Sequence, residues 1–153
     1  MNGGELLRRF LELSANRIEE SVADLQPSDW VARPQGLAPI IWQLGHLALS
    51  DLLLLKRAGE EVEVPAGYEQ LFGRATGGDV PFPSSDEVQQ AFRRARDGLM
   101  RLAEGDLARP ARSPTGLYET VGGGLAMSLY HHGYHHGKIM TLRALLGKPR
   151  LLG

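Results

Sequence analysis

The chain contains no cysteine. That excludes disulfides, thiolate metal sites, iron–sulfur clusters and a cysteine nucleophile, and it suits a reducing, cytoplasmic setting. Nor is there an excess of charge of either sign: 18 acidic residues stand against 17 basic ones, a net charge of -1 with the 5 histidines counted neutral. Such a balance leaves no electrostatic footprint for nucleic acid or an anionic lipid surface, so neither is expected as a partner. No run approaches the ~18 consecutive apolar residues that would mark a membrane span. The opening Met1-Asn2-Gly3-Gly4-Glu5 lacks the basic and apolar regions of a signal peptide. Strand-like alternation, internal repeats, a G-x-S-x-G elbow, a P-loop and a dinucleotide fingerprint are missing as well. What is present has the make-up of one ordinary soluble domain over 1–153, with 42% hydrophobic and 23% charged residues and enough chain to bury a core without staples.

Four segments repeat their apolar residues at helical spacing. The first runs from about Glu5 to Leu25, with Leu7, Leu11, Ile18, Val22 and Leu25 on one face, and Pro27 ends it because proline disfavours helical geometry in the residue before it. A connection through Trp30, Pro34 and Gly36 leads to the second, which starts near Pro39 and is apolar on nearly every side from Ile40 to Leu55. A helix of that kind is a buried one. Residues 60–83, with Pro65, Gly67, Gly73, Gly77, Gly78, Pro81 and Pro83, read as a long surface loop of the sort that often shapes access to a site. Ser84 and Glu87 fit a capping box at the start of the third helix, whose stripe is Val88, Phe92, Ala95, Leu99 and Leu102. The fourth starts between Glu119 and Gly124 and ends at Gly147-Lys148-Pro149. The fold class is all-α, a four-helix bundle, and the unequal connections fit either an up-down-up-down or a crossover topology.

The chemistry rests on histidine. Four of the five lie in His131-His132-Gly133-Tyr134-His135-His136, and the fifth, His46, sits in the middle of the buried second helix. Residues four apart share a helix face, so His131 with His135, or His132 with His136, can aim two imidazoles at one point. A third histidine from another helix would complete a site with an open fourth position, an arrangement known for catalytic zinc. The seam Ser128, His131, His135, Leu142, Leu146 is the better candidate to face inward. The competing seam, through Leu125, Leu129, His132, His136 and Met140, ends in Arg143, which favours water. His132 and His136 then fall on a half-exposed polar face. Gly133 and Gly137 each cost about 1 kcal/mol relative to alanine inside a helix and point to a close helix approach or to room for a ligand.

Two stretches carry a family resemblance. Leu25-Gln26-Pro27-Ser28-Asp29-Trp30-Val31-Ala32-Arg33-Pro34 leads into Ile40-Ile41-Trp42-Gln43-Leu44-Gly45-His46-Leu47-Ala48. His131-His132-Gly133-Tyr134-His135-His136-Gly137-Lys138-Ile139 leads into Leu142-Arg143-Ala144-Leu145-Leu146-Gly147-Lys148-Pro149. In order and spacing the chain resembles the DinB-like superfamily. The resemblance implies an up-down-down-up four-helix bundle, a homodimer, and a divalent metal, zinc or nickel, held by His46, His131 and His135. It further implies a metal-dependent thiol S-transferase or related detoxifying enzyme that uses a low-molecular-weight thiol and a small-molecule electrophile. Two positions depart from the family pattern: Lys138 stands where glutamine is frequent and His132 where glutamate is frequent, both beside the ligands. Tyr134, His132 and Gln43 lie near enough in sequence to assist, and no acid or base is assigned. The alternatives are a metal-dependent hydrolase and a non-enzymatic dimeric bundle whose metal is structural or absent.

Overall fold

Helix α1 spans Gly3–Val22 and begins at a reciprocal cap: Asn2 Oδ1 accepts from the Glu5 amide, and Glu5 Oε2 accepts from the Asn2 amide. Two orphan N–H groups are satisfied in this way before the apolar face begins. The connection that follows is not bare loop. Pro27 opens a short helix α2, Pro27–Val31, which buries Trp30, and a 3-10 turn follows at Pro34–Gly36. α3 spans Ile40–Arg57, α5 spans Ser85–Ala103 behind the expected Ser84–Glu87 capping box, and α6 spans Val121–Leu145 behind Thr120, whose hydroxyl accepts from the Gly123 amide. The computed structural model describes residues 1–73 and 81–151. Gly77 and Gly78 of the expected long loop therefore lie outside the described residues. The described part of that loop departs from expectation, because it holds a further helix α4, Tyr68–Phe72, with Tyr68 and Phe72 buried. Four residues apart, the two aromatic side chains share one face of that helix and enter the core together.

Side-chain pairings set the topology. Arg8 meets Glu104 while Arg93 and Arg96 meet Glu19, so α1 and α5 are antiparallel. Ser14 meets His132 and Asp24 meets Arg143, so α1 and α6 are parallel. Gln43 meets His135 and Asp51 meets Ser128, so α3 and α6 are antiparallel. With α1 up, the long helices run up, down, down, up. α1 and α3 each pack against both α5 and α6, across the bundle from one another. No strand occurs among the described residues, only an isolated bridge between Pro110 and Thr120 ahead of α6.

The core divides into two apolar clusters. One gathers Ile18, Val22, Trp30, Ile40, Leu44, Phe72, Phe92 and Leu142. The other gathers Leu11, Leu52, Leu55, Leu99, Leu102, Val121 and Leu125. Each such side chain, fully buried, contributes roughly 1.5–3 kcal/mol relative to exposure. α3 supplies both clusters, as its all-round apolarity requires. Gly124 lets α6 close on Leu54 and Gly98 lets α5 close on Leu55, since an added Cβ would stand 2.4 and 2.5 Å from those leucines. No single helix among the described residues is long and apolar enough to cross a membrane.

The buried line of α6 is Leu125, Ser128, His132, His135, Ile139 and Leu142, which takes members from both seams weighed in the sequence. Its steps alternate three and four, the narrow stripe of a helix packed between two neighbours. Arg143 overturns the expectation that it favours water. It is 1% exposed, with a bidentate pair to Asp24 and further bonds to the carbonyls of Ser21 and Pro149. A planar guanidinium whose two terminal nitrogens donate to four acceptors can be buried where a bare charge cannot.

Candidate metal centre

His46 of α3 and His131 and His135 of α6 converge where the two antiparallel helices meet. One ring nitrogen of each lies within 4.8 Å of the others. Ring centroids stand 5.0 Å apart for His46 and His131, 4.9 Å for His46 and His135, and 4.5 Å for His131 and His135. His135 is buried, whereas His46 and His131 are half-buried. Along α3, Trp42, His46, Ser50 and Leu53 form the least buried stripe of an otherwise buried helix. His46 thus flanks the core rather than entering it.

Neutral oxygens orient two of the rings. His46 Nδ1 lies 2.6 Å from the carbonyl oxygen of Phe72, a pure acceptor, so this nitrogen carries the proton and Nε2 the lone pair. His135 Nδ1 lies 2.7 Å from Gln43 Oε1, and the amide's orientation follows from its own Nε2 donating to the Ala38 carbonyl at 3.3 Å. Metal-ligating histidines usually show this arrangement, in which an Nδ1–H bond to an oxygen fixes the tautomer and aims Nε2. Trp42 stacks on His46 with centroids 4.8 Å apart and planes 10° from parallel, and Tyr134 meets His135 edge-on at 5.0 Å. Burial, followed by the charges that His131, His46, Lys138 and His132 would present, pushes the His135 imidazole down to about 3. Its neutral, metal-competent form therefore prevails at neutral pH.

The donor set fits a divalent transition metal. Tetrahedral zinc with Zn–N of about 2.0–2.1 Å places its nitrogens about 3.3 Å apart. The three ring nitrogens, within 4.8 Å of one another, stand close to that spacing. The trio borders an open cleft of about 1230 Å³ between α3, α6 and the loop carrying Ser113, Thr115 and Tyr118. Leu37, Leu53 and Leu117 line it with apolar surface. Lys138 stands beside the trio with its ammonium 5.2 Å from the Tyr134 ring, and Arg57 bonds Tyr118 Oη at 3.2 Å near the far end.

The remaining histidines divide. His136 is half-buried, as expected. His132 is not: it is 1% exposed, donates from Nε2 to Asp51 Oδ2 at 2.7 Å and has Nδ1 3.0 Å from Ser14 Oγ. It falls on the core line of α6, and the Asp51 carboxylate makes its burial tolerable. Ser14, His132 and Asp51 have the residue types of a nucleophilic triad, but the Ser14 hydroxyl donates back to the Leu11 carbonyl and does not border the cleft. Gly133 and Gly137 do not serve a close helix approach, because an added Cβ at either would meet nothing within 4 Å. Gly137 lines the cleft, in keeping with room for a ligand.

Three contributors escaped the sequence reading. The Phe72 carbonyl comes from a helix that was not expected. Gly45 makes room for the Phe72 ring, whose atoms would stand 2.3–2.5 Å from an added Cβ. Asp51, an acid within an apolar helix, was a legible signal of a buried partner.

A family model described as the DinB superfamily matches residues 11–139. The crystal structure of a protein from Exiguobacterium sibiricum 255-15, assigned to the DinB family, superposes with a TM-score of 0.73 at 18% identity, covering 99% of this chain and 97% of that one. At that identity the likeness speaks for the fold. No curated protein matches the chain.

Proposed function

The chain belongs to the DinB superfamily, and from that premise we propose that it is a metal-dependent thiol S-transferase or related detoxifying enzyme. In this reading His46, His131 and His135 hold one divalent ion, zinc or nickel. The observation that carries it is the convergence of three imidazoles within 4.8 Å on an open cleft, two of them with Nδ1 tied to neutral oxygens. When bound, such an ion supplies Lewis acidity that holds a low-molecular-weight thiol as the nucleophilic thiolate near neutral pH. The thiol comes from outside, in keeping with a chain that has no cysteine of its own.

The protein's own groups prepare that step. The Phe72 carbonyl and the Gln43 amide keep the His46 and His135 rings in one tautomer and one orientation. Trp42 and the aliphatic cleft walls keep bulk water from one side of the trio, which strengthens electrostatic interactions there. The cleft exceeds the volume usual for one drug-sized ligand, which suits a thiol and an electrophile bound together. Its openness favours a catalytic over a structural ion, because structural sites are closed. We extend the reading to a homodimer, supported by the exposed Leu6, Phe10 and Leu13 along α1. Sedimentation of the untagged chain tests that extension.

The deciding measurement is the metal content of untagged protein prepared without a nickel column, against a folded His46→Ala/His131→Ala/His135→Ala variant. A stoichiometric divalent ion in the wild type, absent from the variant, is expected. Thiol-dependent consumption of broad electrophiles by the loaded protein should follow. A wild type that takes up no metal on reconstitution sinks the reading. Metal without thiol turnover, with hydrolysis that tracks one ionisation, would turn it toward a hydrolase.

A further inference from the structure

Between the two apolar clusters lies a polar layer that the proposed chemistry does not use. Asp51 of α3 is 1% exposed, and both its oxygens are engaged: Oδ1 accepts from Ser128 Oγ at 2.7 Å and Oδ2 from His132 Nε2 at 2.7 Å. The other nitrogen of His132 meets Ser14 Oγ of α1 at 3.0 Å. One carboxylate therefore grips α6 at two positions a helical turn apart, and one imidazole joins α6 to α1 as well. Burying so many polar groups brings little net stability, since an apolar layer of the same volume often does as well or better. What it supplies is direction, because hydrogen bonds fix an angle and apolar packing tolerates several.

Direction is what the neighbouring site requires. His131 and His132 are consecutive, so the rotation of α6 that seats His132 on Asp51 also decides where His131 points. Ser128 lies three residues before His131 and seven before His135, close to the same side of the helix. The helix itself has weak means of holding that angle. Gly133 lies within the ligand-bearing turn and Gly137 just after it, with open space around both, and glycine is a poor helix former. Gln43 adds a second polar tie from α3 to this turn, through its bond to His135.

We propose that Asp51 and His132 are positioning residues, a buried clamp that sets the rotation of α6 about its axis and so aims His131 and His135 at His46. The inference rests on the metal-centre reading above. It predicts that the clamp governs metal affinity separately from stability, with a loss of about 10–100-fold of the size seen when outer-shell partners of metal ligands are removed.

The test compares four purified, metal-stripped proteins: wild type, Asp51→Ala, the volume-conserving Asp51→Ala/His132→Leu, and Leu99→Ala. The last is a destabilised control in the second apolar cluster. Zinc affinity by competition with a chromophoric chelator is measured beside the denaturation midpoint and deuterium uptake across residues 129–138. The expected result is a double variant at least as stable as Asp51→Ala, binding zinc about 10–100-fold more weakly than wild type and exchanging faster across the ligand turn. Leu99→Ala should lose stability and keep its affinity. If the double variant binds zinc as tightly as wild type, or if affinity follows stability through all four proteins, the clamp is overturned and the metal centre stands. If wild type itself binds no zinc, the metal centre falls and the clamp with it.

Discussion

His131 and His132 are adjacent in the chain, on the same turn of α6, yet they occupy two unlike environments. His131 borders the open cleft with His46 and His135, where the rings of His46 and His135 are held through Nδ1 by a backbone carbonyl and a neutral amide. His132 faces the interior, where it donates to a carboxylate. The difference is instructive about what makes a histidine available. A neutral acceptor on one nitrogen orients the ring and leaves a lone pair on the other for a cation. His132 has both nitrogens engaged in the interior, by Asp51 and Ser14, and is part of the scaffold. Residue type and spacing are the same in both regions, and the side of α6 on which each ring falls is what separates them.

Several perturbations would break or sharpen that contrast. Largest in expected effect is Gly45→Ala, which touches the cleft side alone. Its methyl group would collide with the Phe72 ring and push away the carbonyl that orients His46. Overpacking of this kind costs about 1–3 kcal/mol, and metal affinity should fall about 10–100-fold while the Asp51–His132 contact persists. Denaturant titration beside a chelator competition measures both, and unchanged affinity in a destabilised protein would refute the orienting role of Phe72.

Acidification sharpens the contrast next. The folded-state pKa of His135 is depressed, chiefly by burial, to about 3, below the unfolded value of about 6.5. Between those values the unfolded chain binds the extra proton, so this group's contribution to stability is complete above about pH 6.5 and is lost progressively as the pH falls toward 3. Denaturation midpoints of the metal-free protein at pH 7.5 and pH 5 should therefore differ, and His135→Asn should narrow the gap. An equal drop in both proteins would assign the sensitivity elsewhere.

The smallest effect concerns Gly133, which follows His132 on the turn that carries both histidines. Gly133→Ala adds a methyl group that meets nothing within 4 Å, so it should stabilise the fold by about 1 kcal/mol through helix propensity alone. A stabilised variant with unaltered metal affinity is expected. A loss of affinity would show that the turn must flex for the ligands to close.

Legibility in the sequence was uneven, and the reasons are physical. The Ser84–Glu87 cap and the glycine at position 147 are local signals, and the helices they bound are where the spacing puts them. α4 escaped because two buried aromatics in a short segment rich in proline and glycine have too little length to display a period. The His46, His131 and His135 grouping followed from spacing and resemblance, and the structure brings those three together. An exposed Arg143 was one reason to place that pair inward over His132 and His136, yet Arg143 is buried against Asp24, a partner more than a hundred residues away that no local pattern reveals.

The sequence by itself determined the helical class, the approximate helix bounds, the family and the candidate ligands. The class and the bounds of the long helices follow from periodicity, caps and composition, which act within a few residues along the chain. The family follows from the resemblance of the stretches around His46 and His131–His135, and the candidate ligands from that resemblance together with histidine spacing. Only the tertiary structure decided which imidazole meets a carbonyl, which meets a carboxylate, and which side of α6 borders the cleft. Those choices depend on how α1, α3, α4 and α6 are rotated against one another. A rotation of one residue's worth, about 100° on a helix, would put His132 on the side where His131 stands while leaving every local signal unchanged.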